Sequence, residues 1–354
     1  MKNEDLKKRL VWVLFMFFII SVLYACEKDN TEAELLAFDL INQTCAVEID
    51  NTDASVTITL PDEVTSAEKL VADFAISKGA TASIGGEIQT SGLSEIDFES
   101  PFSLNVLAED GLNQTNYKVS TFNNSYTDGW GLGGFQKSTL SNNRDYDWYL
   151  DQSNTGTYSG INCGPTSTTM AAKWAKENFT KTPQDARNAY RSEGGWWYTD
   201  DIDAYLTDNN IQHYFISLAN NAAETSDKMI EQLAKGNILI LCLDMFYITD
   251  GTNTTWHVDK FYSTNAEDWG HFIVVKGYKL VDKKLFFEIY DPYCYNKKYS
   301  DGSYKGRDRF YRNADLYRAT SVWWNYAIVV NGDVEKSMPV NALDRTDVPN
   351  QRGR

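Results

Sequence analysis

Near residue 123 the apolar pattern of this chain changes period, so a single architecture cannot carry both halves. From about 35 to 122, apolar and polar residues alternate in short pieces such as Leu36-Ala37-Phe38-Asp39-Leu40, Val56-Thr57-Ile58-Thr59-Leu60, Leu70-Val71-Ala72-Asp73-Phe74 and Tyr117-Lys118-Val119. Turn signals separate them: Pro61-Asp62, Gly85-Gly86 and Asp110-Gly111. That spacing predicts an all-β sandwich over 35–122. A polar, glycine-rich stretch, 123–134, reads as a linker.

From 135 to 332 the pattern predicts an α+β domain, with helices first and a mostly antiparallel sheet after them. After Cys163, the residues Met170, Ala171, Trp174 and Ala175 fall on one helical face, and Pro165 suits a first helical turn. Further helices are expected at Thr182–Glu193, Asp200–Asp208 and Ser226–Lys235. Strands are expected at Ile211–Leu218, Ile238–Met245, His271–Tyr278, Leu285–Tyr290 and Ser321–Val330. The stretches Ile248–Thr255 and Tyr295–Arg312 read as long loops, and 333–354 as a loosely ordered tail. At 354 residues the chain exceeds a typical single domain.

The first 25 residues have the three regions of an export signal. Lys2, Lys7, Lys8 and Arg9 precede an apolar run from Leu10 to Ala25, too short for a bilayer span of ~20 residues. Leu23-Tyr24-Ala25-Cys26 resembles a bacterial lipobox, which implies cleavage after 25, lipidation of Cys26 and a tether over 26–34. The following Glu27-Lys28-Asp29-Asn30 resembles the surface-export signals of Bacteroidetes lipoproteins, implying an outer-membrane protein facing outward. The β region resembles the Ig-like domains of such lipoproteins, notably in Ala108-Glu109-Asp110-Gly111 and Tyr117-Lys118-Val119, which implies a spacer.

Without residues 1–25 the chain carries 29 basic and 47 acidic side chains, a net charge of −18. Such a surface repels nucleic acid, and the membrane partner is expected through the lipid anchor alone. Cys45, Cys163, Cys242 and Cys294 show no CxxC and no close pair, so no disulfide framework is expected. Cys45 and Cys242 sit in apolar strand-like runs and read as buried inert thiols, while Cys294 lies three residues after Asp291.

Chemistry concentrates in three blocks. Asn162-Cys163-Gly164-Pro165-Thr166-Ser167 is followed, 108 residues after the cysteine, by Gly270-His271-Phe272-Ile273-Val274-Val275 and then by Tyr290-Asp291-Pro292. A thiol, a base and a carboxylate to orient that base are what nucleophilic acyl chemistry requires. A helix N-terminus favours a thiolate, and Gly164 permits close approach of backbone. His271 opens a strand and Asp291 closes the next. A hairpin turning near Val281–Lys284 pairs residues whose numbers sum to about 563–565, so Asp291 lies about one diagonal step from His271, with a small bulge to adjust it. Taken singly, a strand histidine is usually structural and an Asp before Pro usually a turn.

Together the blocks resemble the papain-like cysteine peptidases of the bacteriocin-processing, double-glycine-leader type. Ile230-Glu231-Gln232-Leu233-Ala234-Lys235-Gly236, a helix running into Asn237–Ile240, matches as well. The resemblance implies a papain-like fold in which the helix carrying the nucleophile packs on an antiparallel sheet. It also implies Cys163 as nucleophile, His271 as base and then acid, Asp291 as orienter and Gln152 as oxyanion donor, with Gln136 the competing amide. Gly164 and Trp269 are candidates to line the substrate cleft. His257 and His213 are read as structural, and the Asp200, Asp201, Asp203 cluster lacks the rest of a calcium loop, so no metal or cofactor is expected. The implied function is an exported cysteine peptidase acting on a peptide or protein. A peptidoglycan amidase or other acyl transferase using the same groups is one alternative, and a surface binding protein on an inactive peptidase fold is another.

Overall fold

A computed structural model describes residues 29–123, 129–251, 253–332, 343 and 348–353. The export signal and Cys26 lie outside these residues. The chain divides into two compact units, the first of residues up to 60 together with 68–120, the second of 61–67 together with 121 onward. Among the described residues no helix is long and apolar enough to cross a membrane.

The first unit consists of strands β1 (Leu35–Leu40), β2 (Ala46–Asp50), β3 (Ser55–Thr59), β4 (Leu70–Ile76), β5 (Thr81–Ile84), β6 (Glu87–Gln89), β7 (Glu95–Ile96), β8 (Phe102–Leu107) and β9 (Gln114–Phe122). They form a three-stranded sheet, β1-β4-β7, and a six-stranded sheet, β2-β3-β9-β8-β5-β6. The period of two holds: Val56 and Ile58 on β3, Leu104 and Val106 on β8 and Tyr117 and Val119 on β9 are buried, with more exposed residues between them. Phe98 joins the sheets, meeting Phe38 of β1 and Phe102 of β8 edge to face. The expected burial of Cys45 fails. It precedes β2, the strand at the end of its sheet, and is only half-buried.

The second unit is built on a seven-stranded antiparallel sheet. Its strands are β10 (Gln136–Ser141), β11 (His213–Ser217), β12 (Ile238–Asp244), β13 (Gly270–Val281), β14 (Lys284–Tyr290), β15 (Arg309–Arg312) and β16 (Tyr326–Val330), in the order β11-β16-β12-β13-β14-β15, with β10 on the far half of β13. The helices are α1 (Cys163–Ala175), α2 (Pro183–Ala189), α3 (Thr199–Asp208), α4 (Ala222–Ala234) and α5 (Asn313–Ser321). Ile238, Ile240 and Cys242 join Met170, Ala171 and Trp174 of α1 in one cluster. Leu239, Leu241 and Leu243 join Met229 and Leu233 of α4 and Leu316 and Ala319 of α5 in another. Both faces of β12 are therefore buried, which is why its sequence is an unbroken apolar run. Each such side chain contributes about 1.5–3 kcal/mol on burial.

Several expectations give way to local chemistry. The helix predicted over Thr182–Glu193 begins at a capping box of Thr182 and Asp185 but stops at Ala189, because Arg191, Gly194 and Gly195 adopt positive φ. The helix expected from Ser226 starts earlier, where the Asn221 side chain accepts from Glu224 N–H at 2.9 Å. Ser321 ends α5 rather than opening a strand, and the loop expected through Arg312 closes as edge strand β15. Trp130 and Leu132, in the expected linker, pack against Val258, Val281 and Phe310 of the second unit. Residues 348–353, expected to be loose, are docked on it: Val348 is buried, and Arg352 bridges Tyr198.

Candidate active site

Cys163 is the first residue of α1 and fully buried. The amphipathic reading of this helix was too narrow, since every residue from Cys163 to Ala172 is buried. Its hydroxyls tolerate this by bonding locally: Thr166, Thr168 and Thr169 donate to the carbonyls four residues back at 2.6–2.7 Å. Ser167 Oγ donates instead to Phe272 O at 2.9 Å, tying the second turn of α1 to the residue after His271. The approach to the helix is held by Arg187, fully buried on α2, whose guanidinium donates to Asn162 Oδ1 at 2.8 Å, Gly195 O at 2.9 Å and Ile161 O at 3.2 Å. A side chain on Gly164 would place its Cβ 2.7 Å from Trp197 Cβ, so the approach this glycine permits is that of the 196–199 segment.

β13 and β14 pair as Tyr278 with Phe287 and Gly277 with Glu288, then slip at Lys276 to Val275 with Ile289 and Val274 with Tyr290. The bulge and the diagonal offset bring His271 Nε2 to 2.8 Å from Asp291 Oδ1. The Cys163 thiol lies close enough to the His271 ring to act on its protonation. Asp291 is fully buried and accepts three further bonds: from Tyr293 N–H on Oδ1 at 2.9 Å, and on Oδ2 from Tyr311 Oη at 2.7 Å and Tyr262 Oη at 2.8 Å. The two tyrosines were not singled out in the sequence. Tyr311 lies in a stretch read as a loop and Tyr262 in one given no element, and only their convergence on Asp291 reveals them.

The electrostatics follow from this geometry. Burial pushes the His271 imidazole toward neutrality, but the charge and hydrogen bond of Asp291, reinforced by the thiol, outweigh it and raise its pKa to about 10. Burial likewise favours a neutral Asp291, while the His271 charge and the hydrogen bonds from His271, Tyr311 and Tyr293 hold it below the usual carboxylate range. Burial keeps the Tyr262 and Tyr311 hydroxyls well above their ordinary value, so they remain donors. Burial also raises Cys242 far above the ordinary thiol and Cys294 to about 11. Cys294 Sγ bonds Lys297 O and Gly306 N within the loop after Asp291.

Gln152 is buried on a short 3-10 turn. Its N–H donates to Pro292 O at 2.9 Å and its Nε2 to Ser159 O at 3.0 Å, which uses one of the two amide hydrogens. Gln136 pairs with Val281, ten residues along β13 from His271, about 33 Å at strand rise, which removes it from the site. Trp269 is half-buried against the α4 and α5 side of the sheet, its ring edge-on to Tyr293 at 6.2 Å, while Trp196 and Trp323 flank residues 348–353. His257 lies stacked between Trp130 and Tyr299, and His213 bonds Ile211 O and Asp203. Among the described residues no group of acidic, His and Cys side chains is arranged to hold a metal.

A buried thiol at a helix start, an imidazole within reach of it and a multiply bonded carboxylate behind the imidazole define a thiol-based acyl-transfer geometry. Residues 147–321, which contain all three groups, match the Peptidase_C39 like family, and residues 35–121 match the SGBP N-terminal family. The chain thus carries an SGBP-type β domain followed by a Peptidase_C39-like domain. No curated protein matches it. Among solved structures it is similar to a "putative secreted protein" of Bacteroides fragilis NCTC 9343, at 16% identity over 27% of this chain and 98% of that one, TM-score 0.22. It is also similar to a "putative glycoside hydrolase" of Bacteroides thetaiotaomicron VPI-5482, at 13% identity over 86% of this chain and 90% of that one, TM-score 0.23.

Proposed function

We propose that the protein is a cysteine peptidase, exported and anchored at the cell surface through a lipidated Cys26, with a papain-like fold in its second unit and an Ig-like spacer in its first. The observation that carries the reading is the buried chain from Cys163 through His271 to Asp291, with Nε2 to Oδ1 at 2.8 Å. In this reading Cys163 Sγ attacks the peptide carbonyl, and the C–N bond breaks as His271 gives its proton to the departing amine. Water, deprotonated by His271, then releases the acid from the thioester. A histidine that holds its proton across the neutral range is suited to the first of these transfers. Asp291 orients the ring, and the free amide hydrogen of Gln152 is the candidate donor to the oxyanion.

A second reading, a surface binding protein without turnover, draws on the complete burial of Cys163 and on the SGBP-type domain. Peptide-library hydrolysis by the intact chain and by Cys163→Ala separates the two. Cleavage abolished by the substitution supports the peptidase, whereas absence of any Cys163-dependent cleavage, with peptide binding retained in both proteins, assigns the binder.

A further inference from the structure

Cys163 has no solvent exposure and His271 only 1%, although a nucleophile must meet its substrate. What stands at the sulfur is this chain's own residue Gly353. A Cβ built there would lie 2.8 Å from Cys163 Sγ and 2.6 Å from Phe272 Cε2, so only a residue without a side chain fits.

The segment reaches that point through an isolated antiparallel bridge. Thr199 N–H donates to Gln351 O at 2.9 Å and Gly353 N–H to Trp197 O at 3.0 Å, an antiparallel bridge between Arg352 and Tyr198 on the same stretch that Gly164 lets approach α1. Upstream, Asp200 N–H donates to Asn350 Oδ1 at 3.1 Å, and Val348 is buried in the α1 cluster. Arg352 O accepts from Trp323 Nε1 at 3.2 Å, directly over Gly270, where an added Cβ would stand 2.7 Å from that oxygen. The Arg352 guanidinium lies over the Trp196 ring at 5.2 Å and the Trp323 ring at 5.5 Å, and bonds Asp268 Oδ2 at 3.1 Å. Main-chain pairing, a cation flanked by two indoles and a gap that admits only glycine are how a cleft reads an extended peptide.

We infer that the cleft at Cys163 is a binding site for an extended peptide with arginine followed by glycine at the sulfur, and that residues 348–353 occupy it in cis and shield the thiol. The inference deepens the peptidase reading by naming the class of peptide the site accepts, but shielding can be measured without turnover. Alkylation of Cys163 by iodoacetamide, followed peptide by peptide in the intact chain with half-exposed Cys45 as internal reference, reports access to the sulfur. Gly353→Leu collides with Phe272 and the thiol, and Arg352→Glu sets two carboxylates together at Asp268. Each is expected to speed labelling of Cys163 about tenfold or more, as for a segment seated in about nine molecules of ten, with Cys45 unchanged. Acetyl-Val-Pro-Asn-Gln-Arg-Gly added to the Arg352→Glu protein should slow labelling again, and the same peptide with Glu for Arg should not. Equal labelling of the parent and both variants overturns shielding, and equal protection by the two peptides overturns recognition of arginine. Absence of hydrolysis with the labelling pattern intact would sink only the peptidase reading.

Discussion

A carboxylate held ionised in a protein interior needs a donor for most of its lone pairs, and Asp291 has four: His271, the Tyr293 amide and the hydroxyls of Tyr262 and Tyr311. The tyrosines are therefore positioning residues, acting on His271 through Asp291. Tyr311→Phe is expected to cost about 1.5–3 kcal/mol of stability in denaturant unfolding, the usual value for a hydrogen bond to a charged group. It should also raise the pH at which Asp291 protonates, moving the acid limb of the rate profile upward, a change that loss of packing alone would not produce. Of these groups only His271 and Asp291 itself are visible in the sequence. The hairpin register followed from counting between them. Tyr262 and Tyr311 come from segments far apart along the chain with no motif around them, and their convergence is a property of the folded sheet.

At the scale of elements, the site depends on how α1 is seated. Its start is clamped between Arg187 below and Trp197 beside Gly164, and Ser167 is bonded to β13. Gly164→Ala should cost about 1–3 kcal/mol, since neither the helix nor the 196–199 segment can yield without disturbing the other, and thermal unfolding of the second unit measures it. The helix itself was legible from Pro165 and from its apolar spacing. Its full burial was not, because nothing local in the sequence shows that the hydroxyls of Thr166, Thr168 and Thr169 bond back along the helix. The strand β12 was legible for the opposite reason, since a run buried on both faces leaves no polar residue to confuse the period.

For the whole molecule, the raised pKa of His271 links folding to pH. The folded protein keeps a proton up to about 10 that an unfolded histidine releases near 6.5. The stability due to this group is therefore complete below about pH 6.5 and is lost as pH rises toward 10. The melting temperature should fall across that window, and a His271→Gln change should remove most of the slope. A melting temperature that stays level from pH 6.5 to 10 would show that His271 is not held protonated. At this scale the sequence by itself determined the two-part organisation, most strands of the sheet and the three blocks whose Cys163, His271 and Asp291 the fold brings together, because hydrophobic period and turn chemistry are local and a motif needs only its own neighbours. Only the tertiary structure decided that Asp291 is held by two distant tyrosines, that a buried arginine supports the approach to α1, and that residues 348–353 lie at the thiol. Those facts depend on contacts between segments up to about 190 residues apart, and no local pattern encodes which of many polar or glycine-containing segments will meet.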